Sequence, residues 1–204
     1  MTPEIRRIGY AGLGVMGEPI AANMLRKSGL PVTVTDLNPA PVARLVEMGA
    51  TDAGSIGNLA SSVDVLFLSL PGGEQVASVM RGEDGILARG RPGLIIVDQS
   101  TSPVDLTRDL AAEAQAKGMY YADAPVARTR QAAIDGTLAI MVGAHEQVFS
   151  IIGPLLTHAA TDVTHCGDVG CGQVVKILNN MVLFETVVAL SEALALGTAA
   201  GVDG

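Results

Sequence analysis

Short apolar runs and helical patterns alternate along most of the chain. The apolar runs predict strands at residues 5–11, 32–36, 51–52, 63–70, 94–98 and 119–124. The 3.6-residue patterns between them predict helices at residues 16–28, 39–48, 56–62, 74–80 and 102–117. Two later strands, 138–142 and 162–166, flank a helix at 146–157. This βα repeat predicts a mostly parallel, doubly wound α/β sheet with right-handed crossovers.

The pattern changes after residue 166. Gly167, Gly170 and Gly172 predict a loose hinge, and residues 173–200 predict one long helix that is apolar on every side. Such a helix needs partners on several faces, so we expect another subunit or the rest of a helical domain to cover it. We therefore divide the chain into a domain at 1–166 and the start of a second, helical unit at 167–204. Ionisable and amide side chains within this helix argue against a membrane span; they are Lys176, Asn179, Asn180, Glu185 and Glu192.

A glycine-rich segment between the first strand and the first helix carries the clearest chemistry. It reads Gly12-Leu13-Gly14-Val15-Met16-Gly17, the GxGxxG spacing of a dinucleotide fingerprint. Gly12 suits a tight turn, Gly14 lets a pyrophosphate approach the backbone, and Gly17 allows close packing of helix and strand. The free N–H groups at the helix N-terminus favour phosphate. The alternative is a glycine-rich turn that binds no nucleotide.

Asp36 at the end of the second strand completes this fingerprint. It follows the glycines by about twenty residues, where an acidic side chain binds the ribose hydroxyls of the cofactor. A carboxylate there repels a ribose phosphate, and residues 37–40 contain no Arg or Lys. The sequence therefore predicts NAD rather than NADP.

Composition and charge limit the kinds of partner that the chain is expected to bind. The chain has 204 residues, a net charge of −8 and few aromatic residues, so nucleic acid is an unsuitable partner. Two cysteines, Cys166 and Cys171, indicate a reducing compartment and no disulfide framework. His165 beside Cys166 does not have the spacing of a metal site. With no signal peptide pattern at the N-terminus, we expect a cytoplasmic protein without a metal.

Three more segments follow strands and resemble site material, and the long helix carries a fourth. Leu70 and Pro71 lie in a turn that would close over a cofactor, or simply end a strand. Ser100 and Thr101 would position a nicotinamide or a substrate carbonyl, although Ser102 would serve equally as a helix cap.

The loop at residues 123–130 carries Ala127, Arg128 and Thr129, and its guanidinium groups would bind a small anion. The alternative is a solvated pair of arginines. Lys176, Asn179 and Asn180 share one helix face, because they are spaced by three and four residues. If that face is buried, the pKa of Lys176 should fall, which suits proton exchange near neutral pH. Otherwise it is a surface lysine beside solvated asparagines.

Taken together, these segments resemble the β-hydroxyacid dehydrogenases, the family of 3-hydroxyisobutyrate dehydrogenase. The motifs that carry the resemblance are GLGxMGxPxAxNL at 12–25, DxST at 98–101, DAPV at 123–126, GTLxxMVG at 136–143 and KxxNN at 176–180. They extend over nearly all of the chain. The related phosphogluconate dehydrogenases carry KxxHN, so Asn179 favours the hydroxyacid branch.

The resemblance implies a Rossmann-type NAD-binding domain and reversible oxidation of a β-hydroxy acid. It implies that Lys176 is the catalytic lysine, that Asn179 and Asn180 belong to the substrate site, and that Thr101 lies beside the nicotinamide. It further implies a homodimer or homotetramer formed through the helical region. Because members of the family continue into a helical domain, we expect this chain to lack most of that domain.

One departure from the family concerns the substrate. Most members have Ser-Gly-Gly after DAPV, whereas this chain has Ala127-Arg128-Thr129, which resembles the sulfolactaldehyde reductase branch. A guanidinium there favours a strongly anionic head group, so a hydroxy acid, a hydroxy-sulfonate and their semialdehydes are all candidates. The alternatives are a reductase of another semialdehyde, such as succinic semialdehyde, and a non-catalytic nucleotide-binding or interaction protein.

Overall fold

The computed structural model describes residues 5–203, which fold around one nine-stranded sheet. The strands are β1 (Ile8–Ala11), β2 (Val32–Thr35), β3 (Thr51–Asp52), β4 (Val65–Leu68), β5 (Ile95–Asp98), β6 (Tyr120–Asp123), β7 (Val126–Ala127), β8 (Leu138–Gly143) and β9 (Ala160–Gly167). The helices are α1 (Gly17–Lys27), α2 (Pro39–Glu47), α3 (Ile56–Ser62), α4 (Gly73–Arg81), α5 (Ile86–Arg89), α6 (Val104–Ala116), α7 (Arg130–Asp135), α8 (Glu146–Leu156) and α9 (Cys171–Ala199).

The sheet has the strand order β3-β2-β1-β4-β5-β6-β8-β7, with β9 paired to β8. From β3 to β6 all neighbours are parallel, whereas β8 runs antiparallel to β6 and β7. The predicted mostly parallel, doubly wound sheet is therefore confirmed. The order reverses direction next to β1, which opens a crevice beyond the carboxyl ends of β1 and β4.

Both faces of the central strands are buried, which explains their continuous apolar runs. In β4, Val65 and Phe67 belong to a cluster shared with α1, α2 and α8, while Leu66 and Leu68 belong to a cluster shared with α3, α4 and α6. All four side chains are fully buried. Burial of each such side chain stabilises the fold by about 1.5–3 kcal/mol, so these strands form a rigid base for the loops at their ends.

Three short elements are absent from the sequence-based prediction: α5, β7 and α7. Each has six residues or fewer, so a hydrophobic period cannot be read from it. The segment taken as one loop at residues 123–130 thus contains β7 and the first residue of α7. Helix α7 ends at Asp135. Its C-cap residue is Gly136, whose φ of 71° is left-handed and suits a glycine.

The predicted loose hinge at Gly167, Gly170 and Gly172 is wrong. Gly167 ends β9, Gly170 is the N-cap residue of α9 with φ of 94°, and Gly172 is buried in the first turn of α9. A Cβ on Gly172 would lie 2.5 Å from the carbonyl oxygen of Met141 in β8. These glycines permit a close approach of helix to sheet and do not loosen the chain.

Beyond its first turns, α9 projects from the sheet with its apolar side chains exposed. The exposed ones are Val174, Ile177, Leu178, Met181, Val182, Leu183, Phe184, Val187, Val188, Leu190, Leu194 and Leu196. Its length and hydropathy would also suffice for a membrane span, and none of its most apolar window is buried. An apolar helix of a helical domain has the same composition, and the polar residues noted above favour that interpretation.

Replacing Gly172 with Ala should destabilise the fold, because the added methyl group meets backbone that cannot move easily. We expect a loss of about 1–3 kcal/mol in the free energy of unfolding, measured by urea denaturation. The matched control is Gly197→Ala in the same helix, where the nearest atom to a new Cβ is 3.9 Å away. That variant should be neutral or stabilised by up to about 1 kcal/mol. Equal effects of the two substitutions would contradict a tight contact at Gly172.

Candidate functional site

A cavity of about 840 Å³ lies at the carboxyl ends of β1, β2 and β4. Its walls combine the strand ends at Ala11, Thr35 and Ser69 with the glycine-rich segment and the Leu70-Pro71 turn. No Lys or Arg is among the described residues that line it. The cavity therefore places the predicted fingerprint, Asp36 and the turn after β4 around one space.

The three fingerprint glycines occupy three different environments. A Cβ on Gly12, whose φ is 87°, would collide with the carbonyl of Ser69, and one on Gly17 would collide with the carbonyl of Gly12. Gly14 instead has no atom within 4 Å of where its Cβ would be. Two glycines thus serve the turn and the helix packing, and the third leaves room for a ligand against the backbone. Of the residues between them, Leu13 is buried, Met16 is half-buried and Val15 is exposed.

Asp36 ties the glycine-rich segment to β2. Its carboxylate accepts hydrogen bonds from the N–H groups of Leu13 (2.5 Å) and Asn38 (2.7 Å). The open cradle at Gly14, the acidic side chain at the end of β2 and the cavity between them fit a dinucleotide: room for phosphates at the backbone and a hydrogen-bond acceptor for ribose hydroxyls.

The segment after β5 is held by a buried carboxylate. Asp98 is fully buried and accepts hydrogen bonds from the Ser100 N–H (2.9 Å), the Ser102 hydroxyl (3.2 Å) and the Tyr121 hydroxyl (3.1 Å). Burial raises the pKa of Asp98 to about 6, although these donors act in the opposite direction. Because Ser102 donates to Asp98, the alternative interpretation of Ser102 as a helix cap is wrong; Pro103 is the N-cap residue of α6.

Ser100 joins this segment to the turn after β4. Its hydroxyl oxygen accepts a hydrogen bond from the Leu70 N–H (2.9 Å), so two of the predicted cofactor segments are in direct contact. Thr101, in contrast, is exposed at the edge of the sheet. Its hydroxyl makes no hydrogen bond within the described part of the chain, which leaves it available to a ligand.

A second buried carboxylate, Asp123, holds the start of α9. It ends β6 beside Asp98 in the sheet register, and it accepts hydrogen bonds from the N–H groups of Gly170 (2.6 Å) and Gln173 (2.8 Å). Burial raises the pKa of Asp123, while the backbone donors lower it. A carboxylate acts here as the cap of a helix that begins 48 residues later in the chain, since α9 has no side-chain cap of its own.

Lys176 follows Gln173 by three residues, about 4.5 Å along the helix axis. It is half-buried, and desolvation lowers its pKa, in the direction predicted. Asn180, one turn further on, is half-buried, whereas Asn179 is exposed and donates a hydrogen bond to the Asn180 side-chain oxygen (3.4 Å). The part of α9 that carries Lys176, Asn179 and Asn180 therefore begins at the same end of the sheet as Ser100 and Thr101.

The side chain of Arg128 is committed within the fold. Its guanidinium donates hydrogen bonds to the Thr161 hydroxyl (2.9 Å), to Asp162 (2.5 Å) and to the Thr137 carbonyl. The Arg128 side chain is 44% exposed, as in the alternative of a solvated arginine, and it is also bonded to Asp162. Its φ of 85° is left-handed, which is unusual for a residue with a Cβ.

The residues on either side of Arg128 are also engaged. Thr129 caps α7 by accepting a hydrogen bond from the Ala132 N–H (3.4 Å), and Ala127 pairs with Ala139 in the sheet.

Sequence reasoning missed Gln173 and Tyr121. Gln173 is fully buried and bonds to both Ser100 and Ser102. The available signal was one amide side chain in the first turn of an otherwise apolar helix, three residues before Lys176. Tyr121 lies inside an apolar strand, and nothing in the sequence pattern connects its hydroxyl to Asp98.

Comparison with known proteins identifies the first four fifths of the chain. Residues 7–167 match the family model described as the NAD binding domain of 6-phosphogluconate dehydrogenase. The chain is 43% identical over 195 residues to 2-(hydroxymethyl)glutarate dehydrogenase of Eubacterium barkeri, covering 96% of this chain and 64% of that protein. It is 42% identical over 198 residues to 3-hydroxyisobutyrate dehydrogenase of Pseudomonas aeruginosa, covering 96% of this chain and 65% of that protein.

A solved structure is similar over the same extent. Mycobacterium tuberculosis 3-hydroxyisobutyrate dehydrogenase, determined with L-serine, superposes with a TM-score of 0.91 at 34% identity, covering 98% of this chain and 68% of that one. The chain thus spans a little under two thirds of the length of the two relatives above. The likeness includes both the sheet and α9.

The raised pKa of Asp98 has a measurable consequence for stability. The folded chain holds the Asp98 proton more tightly than the unfolded chain does, so this group stabilises the fold below about pH 4 and that contribution is lost as the pH rises through about 6. Relative to an Asp98→Asn variant, which cannot ionise, the wild type should lose up to about 3 kcal/mol between pH 4 and pH 7. Urea denaturation of both proteins across this range tests it, and a gap that does not change with pH would contradict it.

Proposed function

The chain belongs to the β-hydroxyacid dehydrogenase family, and we propose that the protein is an NAD-dependent oxidoreductase that interconverts a small anionic β-hydroxy acid, or hydroxy-sulfonate, with its semialdehyde. The observation that carries the proposal is the cap of Asp123 on α9. We infer that this cap holds Lys176 near Ser100 and Thr101, because Gln173 in the same turn bonds to Ser100, and Ser100 bonds to Leu70, which lines the cavity. The relatives named above are dehydrogenases of small hydroxy acids, which supports the same reaction class.

The chain belongs to an NAD-binding family, and its own residues supply the cradle. We assign the phosphates to the backbone from Gly12 to Gly17 and the adenosine ribose to Asp36. The Asp36 carboxylate, in a cavity lined by no described cation, favours NAD over NADP because it would repel a ribose phosphate. Leu70, Pro71, Ser100 and Thr101 contact the nicotinamide half. The bound cofactor supplies a ring that exchanges a hydride with the substrate carbon.

Lys176 is the general acid and base of this mechanism. In the direction of reduction its ammonium donates a proton to the oxygen that becomes a hydroxyl, and in the direction of oxidation its amine removes that proton. Partial desolvation lowers the pKa of Lys176 toward neutral pH, where both the ammonium and the amine are needed. Before transfer, the positive charge stabilises negative charge that develops on the oxygen. Asn180, on the same half-buried helix face, orients the substrate, and Asn179 lies next to it.

The substrate's acid group binds at Ala127, Arg128 and Thr129. Since the guanidinium of Arg128 is engaged by Asp162 and Thr161, the contribution of Arg128 is to hold the backbone of this loop in its left-handed conformation. Backbone N–H groups of the loop would then be the donors to the anion. The proposed substrate is still an anion, but Arg128 positions the loop and its guanidinium does not bind the anion directly.

Replacing Lys176 with Ala should lower the turnover number by about a hundred- to ten-thousand-fold, because the proton must then pass to water. Binding of NADH, measured by its fluorescence, should change little, since Lys176 serves the substrate. The assay follows absorbance of the reduced cofactor in the full-length protein with a panel of small semialdehydes carrying carboxylate or sulfonate groups. The control is Lys117→Ala, an exposed lysine at the end of α6. A Lys176→Ala variant with near-normal turnover would refute the mechanism.

Two variants separate the possible roles of Arg128. If it holds the loop, Arg128→Ala and Asp162→Ala should both raise the Michaelis constant for the anionic substrate by about two- to fivefold, the effect of losing an exposed ion pair. If the guanidinium itself bound the acid group, Asp162→Ala would free it and would not weaken binding. An increase confined to Arg128→Ala would therefore contradict the positioning role.

A further inference from the structure

Gln173 makes three directed contacts that join the start of α9 to the strand ends beside it. Its side chain donates a hydrogen bond to the Ser100 carbonyl (2.8 Å) and accepts one from the Ser102 N–H (3.3 Å), and its own N–H donates to Asp123 (2.8 Å). Gln173 is fully buried, so these bonds do not compete with water. Ser100 and Ser102, the residues on either side of Thr101, are thus both bonded to α9, the helix that carries Lys176.

The bonds of Gln173 continue into a network that spans three strands. Ser100 accepts from the Leu70 N–H after β4, and Ser100 and Ser102 both donate to Asp98 at the end of β5. Asp123 at the end of β6 closes the network through α9. The turn after β4, the segment around Thr101 and the first turn of α9 are therefore joined by one set of hydrogen bonds.

We propose that Gln173 is a positioning residue that fixes the distance between Lys176 and the Ser100–Thr101 segment, so that proton donor and nicotinamide meet the same substrate. The inference rests on the proposed role of Lys176 and extends it. Gln173 itself touches neither substrate nor cofactor in this account. An error of about 1 Å in such an arrangement costs about a hundredfold in rate. The two bonds of the Gln173 side chain to Ser100 and Ser102, called the clamp below, therefore act on turnover and not on binding.

The chemistry of the position requires an amide. The Ser100 carbonyl needs a donor and the Ser102 N–H needs an acceptor, and a primary amide supplies both. An ionised carboxylate would offer no donor and would add a third negative charge beside Asp98 and Asp123. A protonated carboxylic acid, however, has one donor and one acceptor, like the amide.

Other ionisable groups surround the clamp. Besides Asp98 and Asp123, they are Tyr121 on β6, Arg108 of α6 near Gly170, and Cys166 and Cys171 at the entry to α9. Among the described groups bonded to Gln173 or to its partners Ser100 and Ser102, Asp98 and Asp123 are the carboxyl groups. A glutamic acid at this position should therefore hold its proton more tightly than a solvated one.

The test uses Gln173→Met, which keeps the volume and removes both side-chain bonds, and Gln173→Glu, which restores them when protonated. In the full-length protein, Gln173→Met should lower the turnover number by about ten- to a hundredfold. Its Michaelis constant and its affinity for NADH should stay within about twofold. Gln173→Glu should approach wild-type turnover at low pH and lose it progressively as the pH rises. The matched control, Gln115→Glu on the exposed face of α6, should follow the wild-type pH profile.

Amide hydrogen exchange provides a readout that does not depend on activity. Gln173→Met should speed exchange in residues 100–103 and 173–177 together, and Gln173→Glu should do so only at high pH. The proposal is overturned if Gln173→Met keeps its turnover number. It is also overturned if turnover and NADH affinity fall and the Michaelis constant rises in parallel with a loss of thermal stability, as a merely structural residue would require.

Failure of the proposed function has a different signature, because it appears as a wild type without turnover or as a fully active Lys176→Ala variant. In that case hydrogen exchange still decides whether Gln173 couples the two segments. Exchange that speeds in only one of the segments would overturn the coupling.

Discussion

The arrangement of the site depends on the buried carboxylate of Asp123. A helix that starts without a side-chain cap leaves several N–H groups without partners, and Asp123 accepts two of them at 2.6 and 2.8 Å. The positive end of the helix dipole also favours a negative charge there. Gly143 and Gly172 must lack side chains because a Cβ on either would lie against this carboxylate. The cap therefore sets where α9 meets the sheet and, one turn later, where Lys176 lies.

Three neighbouring strands contribute to the site because their parallel order brings their carboxyl ends to one edge. β1 leads into the phosphate cradle, β4 into the Leu70-Pro71 turn, and β5 into Ser100 and Thr101. Side chains on both faces of these strands are buried, so the ends are held by the core and not by the loops alone. The antiparallel β8 then extends the sheet past β6 and provides the surface on which α9 begins. The fold thus positions the glycine-rich segment and the first turn of α9 by separate means on one sheet.

Local sequence signals predicted the parts of the site that are local in the chain. The spacing of Gly12, Gly14 and Gly17 contains its own turn and helix start. Asp36 follows, and Asp98 ends, a short run of strand-forming residues. Contacts across the chain have no such signal. The bond from Asp123 to Gly170 spans 47 residues and the one from Arg128 to Asp162 spans 34. The ion pair of Arg128 with Asp162 therefore has no signal in the sequence, and the glycines that look like a hinge are packing positions.

The exposed apolar surface of α9 and the chemistry of Lys176 are physically linked. The described residues bury Lys176 only in part, and desolvation already lowers its pKa. Ile177 and Leu178, which follow it directly, are half exposed, with 50% and 53% of their surface accessible. A surface that packs against these side chains removes water from Lys176 as well, and so shifts its pKa further in the same direction. Any contact that covers this part of the helix would therefore also lower the pKa of Lys176, because the same contact removes water from the apolar side chains and from the amine.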